Sequence, residues 1–399
     1  MDSLFQIMER RLECTPMEII RSMMDYINWD DRLISIRGSR GVGKTTLLLQ
    51  YIKKNYPRGT REALFCSLDN FYFNNHTLLD LADTFYINGG RHLLLDEVHK
   101  YPSWKQEIKE IYDTYPDMRV VVTGSSILHL IKGDVDLSRR CLPYYMPGLS
   151  LREYLRFYKN IELPIFSLED ILEKGEEISS QIRALCSPVA ILKEYLKYGY
   201  YPFYNGNNED YYIRIENVIN FIIEQELPLL ADLKYGYTRK IKAMLGVLAT
   251  AKPFEVDISK MSKMLELNRE TVLSYLQLLS KADVLNLLYS DVFSVKKMQK
   301  PDKIYLTNPN LLHALSFNNT DEGNMRETFV MSQLKPFHRV EYGKEAGDFV
   351  INGKWRFEIG GAKKGFSQIA DIEHSYVFAD NIEYVSGNRY PLWLLGFSY

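Results

Sequence analysis

Short apolar runs alternate with longer helix-like stretches along the first third of the chain. The runs at residues 32–36, 62–68, 93–95 and 120–122 are short and apolar, as buried strands are. Residues 45–54 follow the first run with helical character and contain no helix breaker. Strands that alternate with helices of about ten to fifteen residues predict a parallel sheet with right-handed crossovers. We therefore predict an α/β fold with a doubly wound parallel sheet for this region.

A glycine-rich loop joins the first predicted strand to the first predicted helix. It has the spacing of a phosphate-binding loop of the Walker A type, and its residues are Gly38, Ser39, Arg40, Gly41, Val42, Gly43, Lys44, Thr45 and Thr46. Glycines let backbone N–H groups curl around phosphates, and the N-terminal end of the next helix attracts those phosphates further. We expect Lys44 to pair with the β- and γ-phosphates and the Thr45 hydroxyl to ligate Mg²⁺. The strand before the loop and the helix after it favour a nucleotide site over a plain glycine-rich turn.

Two adjacent carboxylates end another predicted strand. Asp96 and Glu97 follow the apolar run at 93–95, and the carboxyl ends of parallel strands face the ligand crevice in such sheets. We expect Asp96 to hold Mg²⁺ and Glu97 to polarise the attacking water. By themselves, two exposed acids at a strand end would be the better interpretation. The phosphate loop about 50 residues upstream favours the catalytic one.

Hydroxyl groups end the strand that contains the run at 120–122. Thr123, Ser125 and Ser126 follow that run, and a hydroxyl there is expected to lie near the γ-phosphate and to sense the nucleotide state. A simple turn is the alternative for each of them. We select Ser125 as the nucleotide-binding candidate.

Composition and charge narrow the class of protein. A chain of 399 residues predicts two or three domains, and 46% hydrophobic with 25% charged residues is typical of a globular protein with substantial cores. A net charge of −2 gives no overall indication of nucleic-acid binding. Four cysteines without short spacings argue against a zinc site or a disulfide framework and fit a reducing compartment. With a charged N-terminal stretch and no apolar run of roughly 20 residues, we expect a cytoplasmic protein without membrane contact.

Several longer segments together resemble a family of bacterial and archaeal AAA-type P-loop ATPases. They are LLLDEVHKYPSWKQEIKEIYD, VVTGSS, DLSRRCLPYYMPGLSLREYL and YGYYPFY, in this order. Members of this family carry a C-terminal restriction-endonuclease-like domain of unknown function, and the resemblance covers nearly the whole chain. It implies that Arg140 acts on the γ-phosphate or senses it, within one chain or across a subunit boundary. An ordinary salt-bridging arginine is the alternative, and the oligomeric state stays open.

The pattern changes twice beyond residue 150. Residues 151–235 contain charged, helix-like stretches, which together with the family resemblance suggest a helical lid. Residues 236–315 predict a helix-turn-helix and then two apolar strands around the basic segment 295–303, which is the outline of a winged helix. Between residues 238 and 303, twelve Lys and Arg face seven acids, a balance of about +5. The second helix offers few base-reading side chains, so DNA contact and protein packing are both open alternatives.

The last region, 316–399, predicts a small α/β domain. A tight turn at residues 352–353 joins two strands into a hairpin. The region resembles the core of restriction endonucleases, in which a carboxylate on one strand and a Glu-x-Lys on the next assemble a metal site. By that resemblance, Glu327, Asp348 and Glu358 are the candidate ligands of a degenerate nuclease site.

One position departs from the nuclease pattern. Gly360 stands where the lysine is required, and Lys363 and Lys364, close by in the sequence, are the alternative source of its charge. The cation that positions water and phosphate is therefore missing from its expected place. We expect a retained fold without nuclease activity.

These features together predict an Mg²⁺-dependent ATPase with four domains, at residues 1–150, 151–235, 236–315 and 316–399. Its ligands are ATP and ADP, and hydrolysis is expected to drive a conformational change that acts on DNA or on a protein partner. ATP is preferred to GTP because no Asn-Lys-x-Asp-type guanine-reading motif follows the loop. A nucleotide-loaded switch that hydrolyses slowly is the alternative function, and an active nuclease is a third hypothesis.

Overall fold

The chain is described here from a computed structural model. The structure describes all residues except 126–136, 138, 234, 252–256, 291–299, 317–318, 345, 368 and 370. It divides into two compact units, unit 1 (Met1–Pro147) and unit 2 (Gly148–Tyr399). The predicted division into four domains is a finer one and stays a prediction. No helix in the described part of the chain has the length and apolar character needed to cross a membrane.

A five-stranded parallel sheet forms the centre of unit 1, in the order β2-β3-β4-β1-β5. The strands are β1 (Leu33–Arg37), β2 (Ala63–Ser67), β3 (His92–Asp96), β4 (Arg119–Gly124) and β5 (Leu142–Tyr145). The helices are α1 (Asp2–Cys14), α2 (Met23–Tyr26), α3 (Lys44–Asn55), α4 (Leu78–Ile87) and α5 (Trp104–Thr114). Strands β2 and β3 are buried along their whole length, as expected for parallel strands covered on both faces. The predicted α/β fold with a parallel sheet is confirmed.

The apolar runs marked four of these strands but not β5. That strand contains Pro143, and its residues are exposed or half-buried. It runs parallel to β1, with Leu142 opposite Ile34. An edge strand of this kind depends on its pairing partner, because its own residues carry neither the apolar run nor the alternation that identifies a strand.

Unit 2 contains ten α-helices within its described residues. They are α6 (Leu151–Lys159), α7 (Leu168–Glu173), α8 (Gly175–Leu185), α9 (Pro188–Tyr198), α10 (Asn208–Phe221), α11 (Tyr237–Thr250), α12 (Ile258–Leu265), α13 (Arg269–Lys281), α14 (Pro309–Leu315) and α15 (Glu322–Leu334). Strands β6 (Leu285–Leu288) and β7 (Lys303–Leu306) form an antiparallel pair after α13. Most of the predicted basic segment between these two strands lies outside the described residues.

A second five-stranded sheet, in the order β12-β11-β10-β9-β8, lies in the last part of unit 2. Its strands are β8 (Val340–Tyr342), β9 (Phe349–Ile351), β10 (Trp355–Gly360), β11 (Ser375–Ala379) and β12 (Arg389–Pro391). Strands β9 and β10 form the predicted hairpin, in which Asn352 and Gly353 both have positive φ angles of 54° and 70°. Two positive φ values are what a type I′ turn requires, and the Asn-Gly pair supplies them at low cost.

One hydrophobic core joins the helices at 151–198 to the C-terminal sheet of unit 2. Tyr154 and Tyr195 from the helices are fully buried together with Phe329 of α15, Phe357 of β10 and Trp393 near the C-terminus. Burial of one such aromatic side chain contributes roughly 2–3 kcal/mol. The segment predicted as a lid therefore shares its core with the last region of the chain.

Candidate nucleotide site

The phosphate loop requires glycine at some positions because the backbone is closely packed there, and at others because the φ angle is positive. A Cβ atom at Gly38 would lie 2.2 Å from the carbonyl oxygen of Met146, so no larger residue fits there. Gly41 and Gly43 have φ angles of 85° and 100°, which favour glycine. Helix α3 begins at Lys44, directly after Gly43. The loop therefore ends at a helix N-terminus, where unpaired backbone N–H groups attract anions.

The Lys44 side chain turns back into this loop. Its ammonium donates hydrogen bonds to the carbonyl oxygens of Gly38 at 2.7 Å and Ser39 at 2.9 Å. Only 7% of the residue is exposed. A positive charge is thus held inside the curve of the loop, where a phosphate group would be bound.

Arg21, which the sequence did not single out, also binds the backbone of the phosphate loop. Its buried guanidinium donates to the carbonyl oxygen of Val42 at 2.8 Å and to that of Pro147 at 2.9 Å. One side chain therefore links the phosphate loop to the last residue of unit 1. No local sequence signal marks this arginine, because its partners lie 21 and 126 residues away.

Hydroxyl groups from two elements hold the buried carboxylate of Asp96. The Thr45 hydroxyl, at the start of α3, donates to Oδ2 at 2.8 Å. The Thr123 hydroxyl, on β4, donates to Oδ1. The structure thus brings Thr45 and Asp96 together, as the sequence predicts, and adds Thr123 as a donor that was not expected in this role. Both donors are neutral hydroxyl groups, so neither of them cancels the charge of a carboxylate.

Glu97 follows Asp96 in a strained backbone conformation. Its φ of 54° is left-handed, which is uncommon for a residue other than glycine and is enriched at functional sites. Its Oε2 lies 3.4 Å from Nε2 of His99. Burial raises the pKa of Glu97, the charge of Asp96 raises it further, and Lys44 partly opposes them. A carboxylate whose pKa is raised accepts a proton more readily, which suits a general base.

His99 is the buried neighbour of Glu97. Burial lowers the pKa of His99 to about 4, and the charge of Lys100 contributes to the same direction. The imidazole is therefore neutral at neutral pH. Its Nδ1 atom has no hydrogen-bond partner among the described residues.

Ser125 lies at the end of β4 and is buried. Its hydroxyl oxygen finds no hydrogen-bond partner within the described part of the chain. Buried hydroxyls are usually paired, so this one is available to a bound group. Ser126, the other predicted hydroxyl, lies outside the described residues.

Comparison with known families shows which proteins this unit resembles. Residues 30–155 match the family model described as AAA domain. The N-terminal region is therefore similar to AAA domains, and unit 1 is called the AAA domain below. Residues 189–322 match a family described only as a domain of unknown function. The resemblance to AAA-type ATPases is confirmed.

One relative and two solved structures are also similar to this chain. An uncharacterized protein of Methanocaldococcus jannaschii is 29% identical over 301 residues, which are 72% of this chain and 63% of that protein. The chain therefore spans less than two thirds of the relative's length. C. elegans PCH-2 is 14% identical, with 44% of this chain and 48% of that chain covered and a TM-score of 0.25. AMPPCP-bound DnaA from Aquifex aeolicus is 16% identical, with 69% and 86% covered and a TM-score of 0.28.

Arg140 lies at the opposite end of the AAA domain's sheet from the phosphate loop. It precedes β5, whose first residue pairs with Ile34 near the start of β1, whereas the loop follows the end of β1. Its Nε and Nη2 atoms bind the two carboxylate oxygens of Asp113 at 2.9 and 3.1 Å. The salt bridge is the observed arrangement, and the structure does not bring Arg140 to Lys44 within one chain. Its γ-phosphate role stays a prediction.

Unit 2 holds the other set of predicted site residues. Glu327 on α15 accepts hydrogen bonds at Oε2 from Lys303 at 3.1 Å and from the Tyr305 hydroxyl at 2.5 Å. Asp348, directly before β9, accepts at Oδ1 from Lys303 at 3.2 Å and at Oδ2 from the backbone N–H of Ile359 at 2.9 Å. The structure thus brings Glu327 and Asp348 together around a lysine.

Glu358, the third predicted acid, pairs with a different lysine. On β10, its Oε1 forms an ion pair with Lys364. A Cβ atom at Gly360 would lie 2.5 Å from Cγ of Lys364, so the stem of Lys364 crosses the place where a side chain at 360 would begin. Lys364 therefore supplies an ammonium near the position that lacks the motif lysine. Lys363 and Lys364 are the two substitutes that the sequence offers for the missing lysine, and Lys364 is the one that pairs with Glu358.

The sequence interpretation missed Lys303 and Tyr305 altogether. Lys303 counted only as one positive charge of the basic region. The two residues lie on β7 at positions i and i+2, which places both on the same face of the strand. A lysine and a tyrosine on one face of a mainly apolar strand could have indicated buried acidic partners.

Proposed function

We propose that the AAA domain binds ATP together with Mg²⁺ and hydrolyses the nucleotide. The arrangement around Asp96 carries this proposal, because one carboxylate and one threonine hydroxyl lie 2.8 Å apart below a lysine-containing phosphate loop. Both are hard oxygen donors of the kind that Mg²⁺ prefers. The residues present therefore fit the ion, with Thr45 and Asp96 as its protein ligands. When bound, the ion would neutralise charge on the β- and γ-phosphate oxygens.

Lys44 is the residue that we assign to the phosphates. Its two carbonyl partners, Gly38 and Ser39, are neutral acceptors, and a phosphate oxygen is a stronger acceptor for an ammonium. Exchange of one acceptor for another costs no further desolvation of the ammonium, because the ammonium is already buried. The helix N-terminus at α3 adds further attraction for the anion.

Glu97 is the residue that we assign to the attacking water. It lies next to Asp96 at the end of β3, with a carboxylate that is mostly buried. Its raised pKa lets it take up the water's proton, and the strained backbone fixes the direction of its side chain. Ser125, at the end of the neighbouring strand, is proposed to bind the nucleotide through its unpaired hydroxyl.

Unit 2 is proposed to respond to the nucleotide and to contact a partner. Helices α12 and α13 with the antiparallel pair β6–β7 support a winged helix over residues 236–315. The sheet β12-β11-β10-β9-β8 with α15 supports a restriction-endonuclease-like fold over residues 316–399. The net positive charge of the winged-helix region favours contact with nucleic-acid phosphates, and a protein partner is the alternative.

A slowly hydrolysing nucleotide switch is the second candidate function. It is favoured by the position of Glu97, whose Oε2 lies beside a neutral histidine and has no hydrogen-bond partner among the described residues. A base held in this way would need to be repositioned before each turnover. Replacement of Glu97 separates the two candidates, because only an enzyme that uses this carboxylate loses its rate.

The first experiment is steady-state ATP hydrolysis by the full chain, with and without duplex DNA. We expect a measurable wild-type rate that Lys44→Ala lowers by at least about 100-fold, since it removes the charge that binds the phosphates. Lys54→Ala is the matched control, because Lys54 is an exposed lysine in the last turn of the same helix. Stimulation by DNA would support a DNA-coupled ATPase, and a rate indifferent to DNA would direct the search to protein partners. A rate that survives Lys44→Ala would contradict the proposed site.

A further inference from the structure

The acidic pocket of unit 2 differs from the metal site that its fold suggests. Glu327, Asp348 and Glu358 stand where the ligands of a divalent cation are expected from the nuclease resemblance. Among the described residues, however, no three acidic, histidine or cysteine side chains are arranged to hold a metal ion. The residues present therefore do not fit the metal that the resemblance implies.

Lysine ammonium groups already bind one carboxylate oxygen of each of these three acids. Lys303 lies within 3.2 Å of both Glu327 and Asp348, and Lys364 pairs with Glu358. The second oxygen of Asp348 accepts from the backbone N–H of Ile359. A metal entering between Glu327 and Asp348 would have to displace an ammonium from both.

Lys303 is enclosed on several sides. Its side chain is about 10% exposed, as is that of Glu327. The Tyr305 hydroxyl donates to the same oxygen of Glu327, and the ring of Tyr342 lies 5.1 Å from the Lys303 ammonium. The side chain thus has a buried stem, two anionic partners and an aromatic face, which is a complete site for a cation.

We infer that the Lys303 ammonium is the built-in cation of this pocket, that it closes the pocket to divalent metals, and that its removal turns Glu327 and Asp348 into a divalent-cation site. This inference does not depend on ATP hydrolysis, since all of its residues lie in unit 2. A tethered ammonium acts at a high effective concentration, whereas a dissolved divalent ion must shed its water shell. The native pocket is therefore a structural ion cluster, and the nuclease hypothesis loses its metal.

The test measures binding of Mn²⁺ to the nucleotide-free full chain by isothermal calorimetry and by electron paramagnetic resonance. We expect wild type and Asp348→Asn to bind the same amount, because the native pocket contributes no site. Lys303→Ala should gain about one Mn²⁺ per chain, and Lys303→Ala combined with Asp348→Asn should lose it again. Saturating Mn²⁺ should also raise the unfolding midpoint of Lys303→Ala by roughly 5 °C.

Lys335→Ala is the matched control. Lys335 is another lysine of unit 2, but its ammonium donates a hydrogen bond to the neutral amide oxygen of Asn286. Removal of this ammonium should create no Mn²⁺ site. Lys303→Met, which keeps most of the side-chain volume, replaces Lys303→Ala if the latter does not fold.

Two results would overturn the inference. The first is wild-type Mn²⁺ binding that Asp348→Asn abolishes, which would mean that Lys303 moves aside for a metal. The second is a folded Lys303→Ala or Lys303→Met chain, verified by circular dichroism, that binds no additional Mn²⁺. The wild-type comparison stands by itself even if neither lysine variant folds.

Discussion

Asp96 in the AAA domain is buried and Asp348 in unit 2 is partly buried. Both acids lie beside strands, yet their partners differ in charge. The two oxygens of Asp96 accept hydrogen bonds from the hydroxyls of Thr45 and Thr123. One oxygen of Asp348 accepts from the ammonium of Lys303 instead. Neutral donors hold a carboxylate in place without cancelling its charge, so it can still attract a cation. An ammonium cancels that charge and leaves a stable cluster with nothing more to bind.

An aspartate beside a strand can therefore have different chemistry, which depends on the partners that the fold brings to it. Thr45 and Asp96 are separated by 51 residues, and Lys303 and Asp348 by 45. Neither partnership is visible in a short window of sequence. The phosphate-loop pattern specifies the first pair in advance, whereas no pattern links a lysine on β7 to an acid before β9.

The largest expected effect is on the rate of ATP hydrolysis by the AAA domain. Glu97→Gln should lower ATP hydrolysis by about 1,000-fold, because the amide cannot take up the proton of the attacking water. Binding of ATP, measured by calorimetry, should stay within about twofold of wild type. Glu110→Gln, at an exposed position on α5, is the control. A rate that hardly changes would favour the slow-switch hypothesis.

The next prediction compares the same substitution at Asp348 and at Asp96. Asp348→Asn should lower the free energy of unfolding of unit 2 by about 4 kcal/mol, because it leaves the buried Lys303 with one anionic partner fewer. Asp96→Asn should change stability by about 1 kcal/mol, since only neutral donors are affected. Hydrolysis should show the reverse order, with a large loss in Asp96→Asn and none in Asp348→Asn. Chemical denaturation and steady-state rates together measure all four quantities, and equal destabilisation by the two variants would contradict the distinction drawn here.

A smaller effect concerns pH and the buried neighbour of Glu97. His99 has its pKa lowered from 6.5 to about 4 in the folded state, so the unfolded chain takes up a proton at higher pH than the folded one. Stability contributed by the neutral imidazole is therefore present above pH 6.5 and falls as the pH is lowered towards 4. The loss is on the order of 3 kcal/mol, at 1.36 kcal/mol per pKa unit.

His99→Gln should flatten this part of the stability profile. Denaturant titrations of both chains between pH 7 and pH 4 measure the difference. His76→Gln is the control, because His76 is exposed. If His99→Gln keeps the same pH dependence as wild type, the lowered pKa of His99 is contradicted.

Much of the AAA domain follows from local sequence. The apolar runs mark β1 to β4, and the glycines, Lys44 and Thr45 mark the loop, because these features depend on neighbouring residues. Strand β5 could not be found in this way, since it carries a proline and little apolar character and forms by pairing with β1. The salt bridge of Arg140 to Asp113 joins residues 27 positions apart, so no short window of sequence indicates it.

Unit 2 was harder to predict for a related reason. The hairpin at residues 352–353 was visible because an Asn-Gly pair specifies its own turn. The core that joins Tyr154 and Tyr195 to Phe357 and Trp393 connects residues about 200 positions apart. Periodicity identifies such residues as buried, but it cannot say which other buried residues they meet.

Arg21 has a mechanical consequence for the AAA domain. One rigid, planar guanidinium grips the backbone at Val42 in the phosphate loop and at Pro147, the peptide through which the chain leaves this unit. The phosphate loop and the peptide at Pro147 are therefore connected through a single side chain. A backbone rotation at Val42 would move this guanidinium, and through it the carbonyl group of Pro147, without an intervening helix or strand.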